Sequence, residues 1–147
     1  MLAARPRTET QLRKRLMSMQ CANQRLVDDC ISRLKELGYV NDSKFAESYA
    51  SHRLSVRPVG RARLARELVL KKVDRKTIDR ALDRVFDDTG EEELIDRAIQ
   101  KRIRTHGRPD DRGEAKRMFD HLARLGFEFD LIVRKLDALR RDSMKDE

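Results

Sequence analysis

The chain has 147 residues, and its 34 basic and 26 acidic residues give it a net charge of +8. Charged residues make up 41% of the sequence and hydrophobic residues 39%, and apolar runs such as residues 131–133 are far too short to cross a bilayer, which excludes a membrane protein. Aromatic residues are only 5%, while Arg, Lys, Glu, Leu and Ala are abundant, so the composition argues against an all-β domain and predicts an all-α protein.

Capping residues and glycine or proline stops divide the chain into eight predicted helices. Thr8 and Gln11 form a capping-box pattern at the start of the first helix, and Asn23 precedes the second. The predicted helices cover about residues 9–19, 24–37, 42–57, 61–72, 75–89, 91–104, 114–125 and 131–139, and Asp130 is the predicted N-cap of the last. A polar loop at 106–113 separates the last two helices from the rest. Residues 140–147 are expected to form a disordered tail, because Met144 is their one apolar side chain.

The cysteines and histidines are too few and too scattered for a disulfide framework or a metal site. Cys21 and Cys30 form no CxxC pair, and His52, His106 and His121 lack the spacing of zinc ligands. We therefore expect no metal and no cofactor. The N-terminus lacks the apolar core of a signal peptide, so we expect a cytoplasmic protein with two ordinary thiols, and we expect Cys30 to face the core.

Apolar residues recur in three parts of the chain with a shared spacing. Two of them lie four positions apart, and three more follow about ten residues later. The three sets are Leu12, Leu16, Val27, Ile31 and Leu34; Leu64, Leu68, Ile78, Leu82 and Val85; and Met118, Leu122, Ile132, Leu136 and Leu139. We predict three tandem three-helix repeats at 8–57, 58–105 and 106–139, the last one shortened, after a flexible N-terminus at 1–7. Such repeats stack into an elongated, curved array, here of either hand.

The chain resembles the RecX family over roughly residues 8–139, and three segments carry the resemblance. The strongest carries a glycine, an aromatic residue, an aliphatic residue and two polar residues, followed by Phe-Ala and a tyrosine: Gly38-Tyr39-Val40-Asn41-Asp42, Phe45-Ala46 and Tyr49. The second comprises Gly60, Leu64, Glu67-Leu68 and Lys71-Lys72-Val73, and the third Leu122, Gly126-Phe127, Ile132 and Leu136. Two loops depart from the family pattern, because Lys72 stands where glycine is usual and Gln20-Cys21 replaces a glycine-aromatic turn.

The resemblance implies a function as well as a fold. RecX proteins regulate the RecA recombinase, so it implies three tandem three-helix units, no enzymatic activity, and binding to the RecA–DNA filament. Such binding would restrain the assembly of the filament, its ATP hydrolysis and its strand exchange. These processes belong to homologous recombination, DNA repair and the SOS response.

Paired carboxylates are the one feature of the sequence that could suggest catalysis. Such pairs occur at 28–29, 87–88, 91–93 and 110–111. Adjacent residues of a helix point about 100° apart, so these carboxylates do not converge on one substrate atom. No phosphate-cradling glycine motif, nucleophile elbow or HExxH is present. We predict that the chain is not an enzyme.

Basic residues are concentrated between positions 53 and 84, a segment that contains 11 basic and 4 acidic residues. Helical spacing places Lys76, Arg80 and Arg84 in one stripe, and the helices before and after it carry similar groups. Leu70 is an apolar residue among these charges and is a candidate anchor for a protein contact. The predicted partner- and nucleic-acid-binding residues are Arg63, Arg66, Leu70, Lys71, Lys76, Arg80, Arg84, Arg97, Lys101 and Arg104.

Several functions remain open for this basic surface. A regulator of a nucleoprotein filament would touch both protein and DNA phosphates, with weak, non-specific binding to DNA alone and a monomeric chain. The alternative is an autonomous DNA-binding regulator of the helix-turn-helix type, but recognition helices usually carry Asn, Gln, Ser or Arg aimed at base edges. The stripes consist of Lys and Arg with Asp between them, which suits phosphates and acidic protein surfaces. A docking scaffold for another acidic partner and a plain solvated surface also fit the pattern.

Overall fold

The structure is a computed structural model that describes residues 7–20 and 23–146. Every regular element in these ranges is an α-helix, which confirms the predicted all-α class. The helices are α1 Glu9–Met17, α2 Gln24–Glu36, α3 Asp42–Val56, α4 Arg61–Leu70, α5 Arg75–Asp88, α6 Glu91–His106, α7 Arg112–Arg124 and α8 Phe129–Lys145. None of these helices is long and apolar enough to span a membrane.

The predicted N-caps explain where several of these helices begin. Thr8 and Gln11 form the expected capping box, because the Thr8 hydroxyl accepts from the Gln11 amide while the Gln11 side chain accepts from the Thr8 amide. Asn23 accepts from the third amide of α2, and Asp74 accepts from the Thr77 amide in α5. These contacts confirm the first, second and fifth predicted helix starts.

The start of the seventh helix and both ends of the eighth differ from the prediction. Helix α7 begins at Arg112, because Asp111 caps it by accepting from the Glu114 amide, so the preceding loop is shorter than predicted. Helix α8 begins at Phe129, so Asp130 lies in its first turn and is not the predicted N-cap. The helix continues to Lys145, which replaces the expected disordered tail with six further helical residues, 140–145. The tail sequence contains no glycine or proline to stop the helix, and its Arg, Met and Lys residues favour helical geometry.

Two side chains expected in the core are exposed. Cys30 lies on the outer side of α2, since Val27 and Ile31 form the buried side of that helix one turn apart. Helical spacing predicts that Val69 lies on the inner side of α4 with Leu64 and Leu68, yet 56% of Val69 is exposed, because Leu64 and Leu68 alone define the buried side. The predictions for residues 1–6 and for Cys21 fall outside the described residues.

The described chain divides into two compact units. The first holds the described residues up to Ala50 together with Ala65–Arg84, and the second holds Ser51–Leu64 with the described residues from Val85 onward. In the second unit, α6 packs against both α7 and α8, and α7 packs against α8. The core of the first unit includes Ile31, Leu68 and Leu82, and the core of the second includes Leu94, Leu122 and Ile132. The three-repeat division stays a prediction, because a repeat is defined by sequence register and not by compactness.

Helices α2, α4 and α7 end in the same backbone turn. In α4 the Lys72 amide donates to the Val69 carbonyl at 3.0 Å and the Val73 amide to the Leu68 carbonyl at 3.2 Å, which is the Schellman pattern. The equivalent bonds follow α2 and α7, where the residue with positive φ is Gly38 or Gly126. In α4 that residue is Lys72, with a φ of 65°. The missing glycine therefore leaves the shape of the corner unchanged and makes a lysine adopt the left-handed conformation.

Two glycines let the backbone segments of the second unit come unusually close. The Gly60 amide donates to the Leu125 carbonyl at 2.8 Å, and the Ala62 amide donates to the Gly126 carbonyl at 3.3 Å. A Cβ on Gly60 would lie 2.3 Å from the carbonyl carbon and oxygen of Gly126, and a Cβ on Gly126 would lie 2.4 Å from the Arg63 nitrogen. We call this contact the glycine joint. The joint leaves no room for a side chain at Gly60 or at Gly126.

The half-buried His121 of α7 predicts a pH dependence of stability. Burial lowers the pKa of His121, and the nearby charges of Arg102 and Arg124 lower it further. The unfolded chain, with a histidine pKa of about 6.5, then binds more protons than the folded chain below that pH. We expect the melting temperature to fall as the pH drops below about 6.5 and towards the lowered pKa. His121→Gln should flatten this part of a melting-temperature profile, and an unchanged slope in the variant would contradict the assignment.

Candidate functional site

The basic stripe of α5 is exposed along its whole length. Lys76, Arg80 and Arg84 lie on the solvent side of the helix, while Ile78 and Leu82 on the opposite side are buried. Arg84 forms an ion pair with Glu47 at 3.0 Å but keeps 76% of its side chain exposed. Within the described residues, no ion pair is recorded for Lys76 or Arg80. The stripe can therefore offer at least two cations to an anionic partner without breaking an internal contact.

The end of α4 adds a second group to the same unit. Arg66 is exposed, and Leu70 is 79% exposed, as predicted for an anchor residue. Lys71 is less exposed than predicted, because its Nζ lies over the Tyr49 ring, 5.9 Å from the centroid. The Tyr49 hydroxyl is committed as well, since it donates to Glu67 at 2.9 Å. Lys71 thus contacts the fold through Tyr49, and its role in binding a partner stays a prediction.

Thr8 fixes the backbone at the end of α4. Its hydroxyl donates to the Lys71 carbonyl at 3.1 Å while accepting from the Gln11 amide, and the side chain is fully buried. A carbonyl in the last turn of a helix has no partner inside the helix, so this bond satisfies it. Asp74 fixes the other side of the corner by bonding to the hydroxyl and amide of Thr77, which lowers the pKa of Asp74. The corner is thus held in place before any partner arrives.

The remaining predicted residues belong to the second unit. Arg97, Lys101 and Arg104 are exposed along α6, opposite the buried Ile95 and Ile99. Arg97 reaches Glu93 at 4.0 Å, the limit of an ion pair, as the i,i+4 spacing suggested. Arg63 is half-buried and has contacts of its own, so it is a weaker candidate than the sequence predicted. The ten predicted residues therefore form two groups, one in each unit.

The acidic start of α6 is neutralised inside the second unit. Lys135 of α8 contacts both Glu92 and Asp96 at 2.9 Å, and Arg134 contacts Glu92 at 2.8 Å. The bond from Lys135 lowers the pKa of Glu92, and the bonds to Asp96 and Glu92 raise the pKa of Lys135. Because these carboxylates already have cationic partners, they compete little with an external anion for the basic stripes.

Three features near these groups were missed by the sequence-based reasoning. Val69 adds exposed apolar surface beside Leu70, and Lys72 and Arg75 add exposed cations around it. The i,i+3 spacing of Arg66 and Val69 could have indicated that Val69 lies beside Arg66 on the outer surface of α4.

A groove of about 600 Å³ also lies between α7 and α8, with Phe119 and Leu136 among its lining residues. It lies in the second unit and includes none of the predicted residues.

Comparisons with known proteins give a consistent result. A sequence model described as the second three-helix domain of RecX matches residues 41–82. The "Regulatory protein RecX" of Streptomyces coelicolor is 31% identical over 134 residues, which cover 91% of this chain and 70% of that protein. The protein of the same name from Bacillus pumilus is 33% identical over 110 residues, which cover 75% of this chain but only 41% of that longer protein.

A solved structure shows the same fold. The crystal structure of RecX from Lactobacillus salivarius superposes with a TM-score of 0.81, covering 93% of this chain and 90% of that one, at 22% sequence identity. The matched segment 41–82 contains Arg66, Leu70, Lys76 and Arg80. Of the candidate residues in the first unit, Arg84 alone lies outside this matched segment.

Proposed function

The chain belongs to the RecX family of regulatory proteins, and we propose that it restrains the RecA recombinase by binding to the RecA–DNA filament. In this proposal the chain slows filament assembly, ATP hydrolysis and strand exchange without catalysing a reaction itself. The regulatory role comes with the family, whereas the partner and the direction of the effect are part of the proposal.

The exposed stripe of α5 is the observation that carries this proposal. Lys76 and Arg80 are exposed, and the buried Leu82 on the opposite side fixes the direction in which they point. A nucleoprotein filament presents DNA phosphates and carboxylates of its protein subunits, and both attract such a stripe. The exposed Leu70 supplies an apolar contact that DNA phosphates would not require, which favours a partner with a protein component.

The direct test is RecA's DNA-dependent ATP hydrolysis in the presence of the purified chain. We expect the hydrolysis rate to fall at chain concentrations below that of RecA, because one bound molecule can block the growth of a whole filament end. A matched control uses the same concentrations of the Leu82→Ala variant, in which a cavity destabilises the helix that carries the stripe. No effect of the parent chain at any ratio would contradict the proposed function.

The competing function, an autonomous helix-turn-helix regulator, predicts a different result. Such a protein should distinguish a chosen duplex from random duplexes when RecA is absent, because it reads base edges. The Lys and Arg side chains of α5 suit phosphates, which carry no sequence information. We therefore expect electrophoretic mobility shifts of equal strength on random and chosen duplexes, and a marked sequence preference would favour the competing function.

Binding to naked DNA should weaken steeply with salt. If the exposed side chains meet phosphates, the logarithm of the affinity should fall with the logarithm of the salt concentration, with a slope of about −0.9 per phosphate neutralised on duplex DNA. With about four to six contacts, we expect dissociation constants of about 10⁻⁴–10⁻⁶ M at physiological salt. Fluorescence anisotropy with a labelled duplex across a salt series measures the slope. An affinity that does not change with salt would contradict the proposed phosphate contacts and leave only the proposed protein contacts.

A further inference from the structure

Lys72 has an unfavourable backbone conformation with no packing interaction in return. Its φ of 65° lies in the left-handed region, which the equivalent corners after α2 and α7 fill with Gly38 and Gly126. A residue with a Cβ is less stable there than glycine. The Lys72 side chain is exposed, so no buried contact compensates for the strain. The Schellman turn requires the positive φ but does not require a lysine, and strained backbone of this kind clusters at functional sites.

The same corner exposes two neighbouring apolar side chains. Leu70 is 79% exposed and Val69 is 56% exposed, and both lie in the last turn of α4. Arg66 precedes them by three and four residues, so it lies beside them on the helix surface. Lys72 follows them directly, and Arg75 begins the next helix. An apolar pair is therefore surrounded by exposed cations within ten residues of chain.

The acidic residues at this corner are occupied by internal contacts. Asp74 bonds to Thr77, and Glu67 accepts from the Tyr49 hydroxyl. Both carboxylates keep their negative charge, but these hydrogen bonds fix the positions of their side chains. The cations Arg66, Lys72 and Arg75 are exposed, and Thr8 holds the backbone between them through the Lys71 carbonyl. The corner is a rigid apolar patch with a positively charged rim.

We infer that the α4–α5 corner binds an acidic protein segment that inserts a leucine-like side chain between Arg66 and Lys72. The carboxylates of the segment would pair with the rim, and its apolar side chain would cover Val69 and Leu70. A nucleic acid fits the corner less well, because the nearby Tyr49 ring already stacks with Phe45 and has the Lys71 Nζ over it, so it offers a base a poor stacking surface. This inference deepens the proposed function by describing the partner's contact segment, and it can be tested without that partner.

The experiment measures the binding of a labelled peptide of repeated Glu-Glu-Leu triplets together with the stability of each variant. Lys72→Gly removes one cation of the rim and relieves the strained φ, so it should weaken peptide binding several-fold while raising the melting temperature by about 2–4 °C. Lys72→Gln removes the same charge and keeps a Cβ, so it should weaken binding without the gain in stability. A purely structural role for Lys72 would change stability and leave binding intact.

Control variants and peptides separate the contributions. Leu70→Ser should weaken binding about tenfold with no loss of helical content, because the side chain is exposed. Lys116→Gln removes an exposed cation of α7 in the other unit and should have no effect on binding. Peptides of Gln-Gln-Leu and Glu-Glu-Ser triplets should bind more weakly than the acidic leucine peptide.

Two results would overturn the inference. One is unchanged peptide affinity in both Lys72→Gly and Leu70→Ser. The other comes from a competition experiment in which a single-stranded oligonucleotide displaces the bound peptide. If it displaces the peptide equally well from the parent chain and from Leu70→Ser, the corner is a nucleic-acid contact. Failure of the proposed function is a separate result, since it would appear as peptide binding without any effect on RecA.

Discussion

Replacement of Gly126 by alanine should destabilise the protein by about 3 kcal/mol or more, because two penalties combine at one residue. Gly126 has a φ of +92°, a conformation that strains any residue with a Cβ. The new Cβ would also lie 2.4 Å from the Arg63 nitrogen, a distance that the backbone can increase only by opening the glycine joint. Urea unfolding followed by helical circular dichroism measures the loss.

Three other glycines separate the two penalties. Gly60→Ala introduces the clash without the positive φ, since its Cβ would lie 2.3 Å from the Gly126 carbonyl. Gly107→Ala introduces the strain alone, because φ is +81° and nothing lies within 4 Å. Gly90→Ala introduces neither and should be nearly neutral. A Gly126→Ala variant no less stable than Gly107→Ala would show that the glycine joint is not tightly closed in solution.

Reversal of the α5 stripe should abolish most of the binding to the RecA–DNA filament. The variant combines Lys76→Glu, Arg80→Glu and Arg84→Glu, which replaces attraction to an anionic surface with repulsion. All three side chains are exposed, so the substitutions bury no charge, and the one recorded ion pair that they break, between Arg84 and Glu47, is a surface contact of about 0–1 kcal/mol. We expect near-parental helical content together with a loss of filament binding in co-sedimentation.

Leu82→Ala serves as the matched control on the opposite side of the same helix. Leu82 is fully buried, so its truncation should cost about 2–5 kcal/mol by leaving a cavity. Binding should then weaken only to the extent that the first unit unfolds, and a lower temperature should restore it. If the folded triple variant restrains RecA as well as the parent chain does, the stripe is solvated surface and the assignment of the site is wrong.

The helices and their starts were largely predictable because their signals are local. The capping box of Thr8 and Gln11 and the caps Asn23 and Asp74 each rest on residues three positions apart, and the structure contains all of them. The stripe of Lys76, Arg80 and Arg84 follows from the helical period alone. Its exposure could be inferred from the apolar residues that alternate with it.

Features that depend on distant parts of the chain could not be predicted. Lys71 was expected to be an exposed cation, but Tyr49 lies beneath it, and nothing in the sequence of α4 reveals that ring. The bond from Thr8 to the Lys71 carbonyl likewise joins segments far apart in sequence. Cys30 was assigned to the wrong side of α2 because neighbouring apolar residues were counted together, although the buried stripe of that helix is narrow. Helical periodicity gives the faces of a helix but not the neighbours that cover them.

The glycine joint also determines the order in which the second unit can be completed during synthesis. Ser51–Leu64 belongs to that unit although the first unit's residues flank it in the chain. Gly60 bonds to the Leu125 carbonyl, so this bond cannot form until α7 has left the ribosome. Chains emerge and fold from their N-terminus, and contacts between distant segments form only after a long loop has closed. Translation therefore delivers all described residues of the first unit before Gly60 can bond to Leu125, and the second unit can close this contact only after α7 has been made.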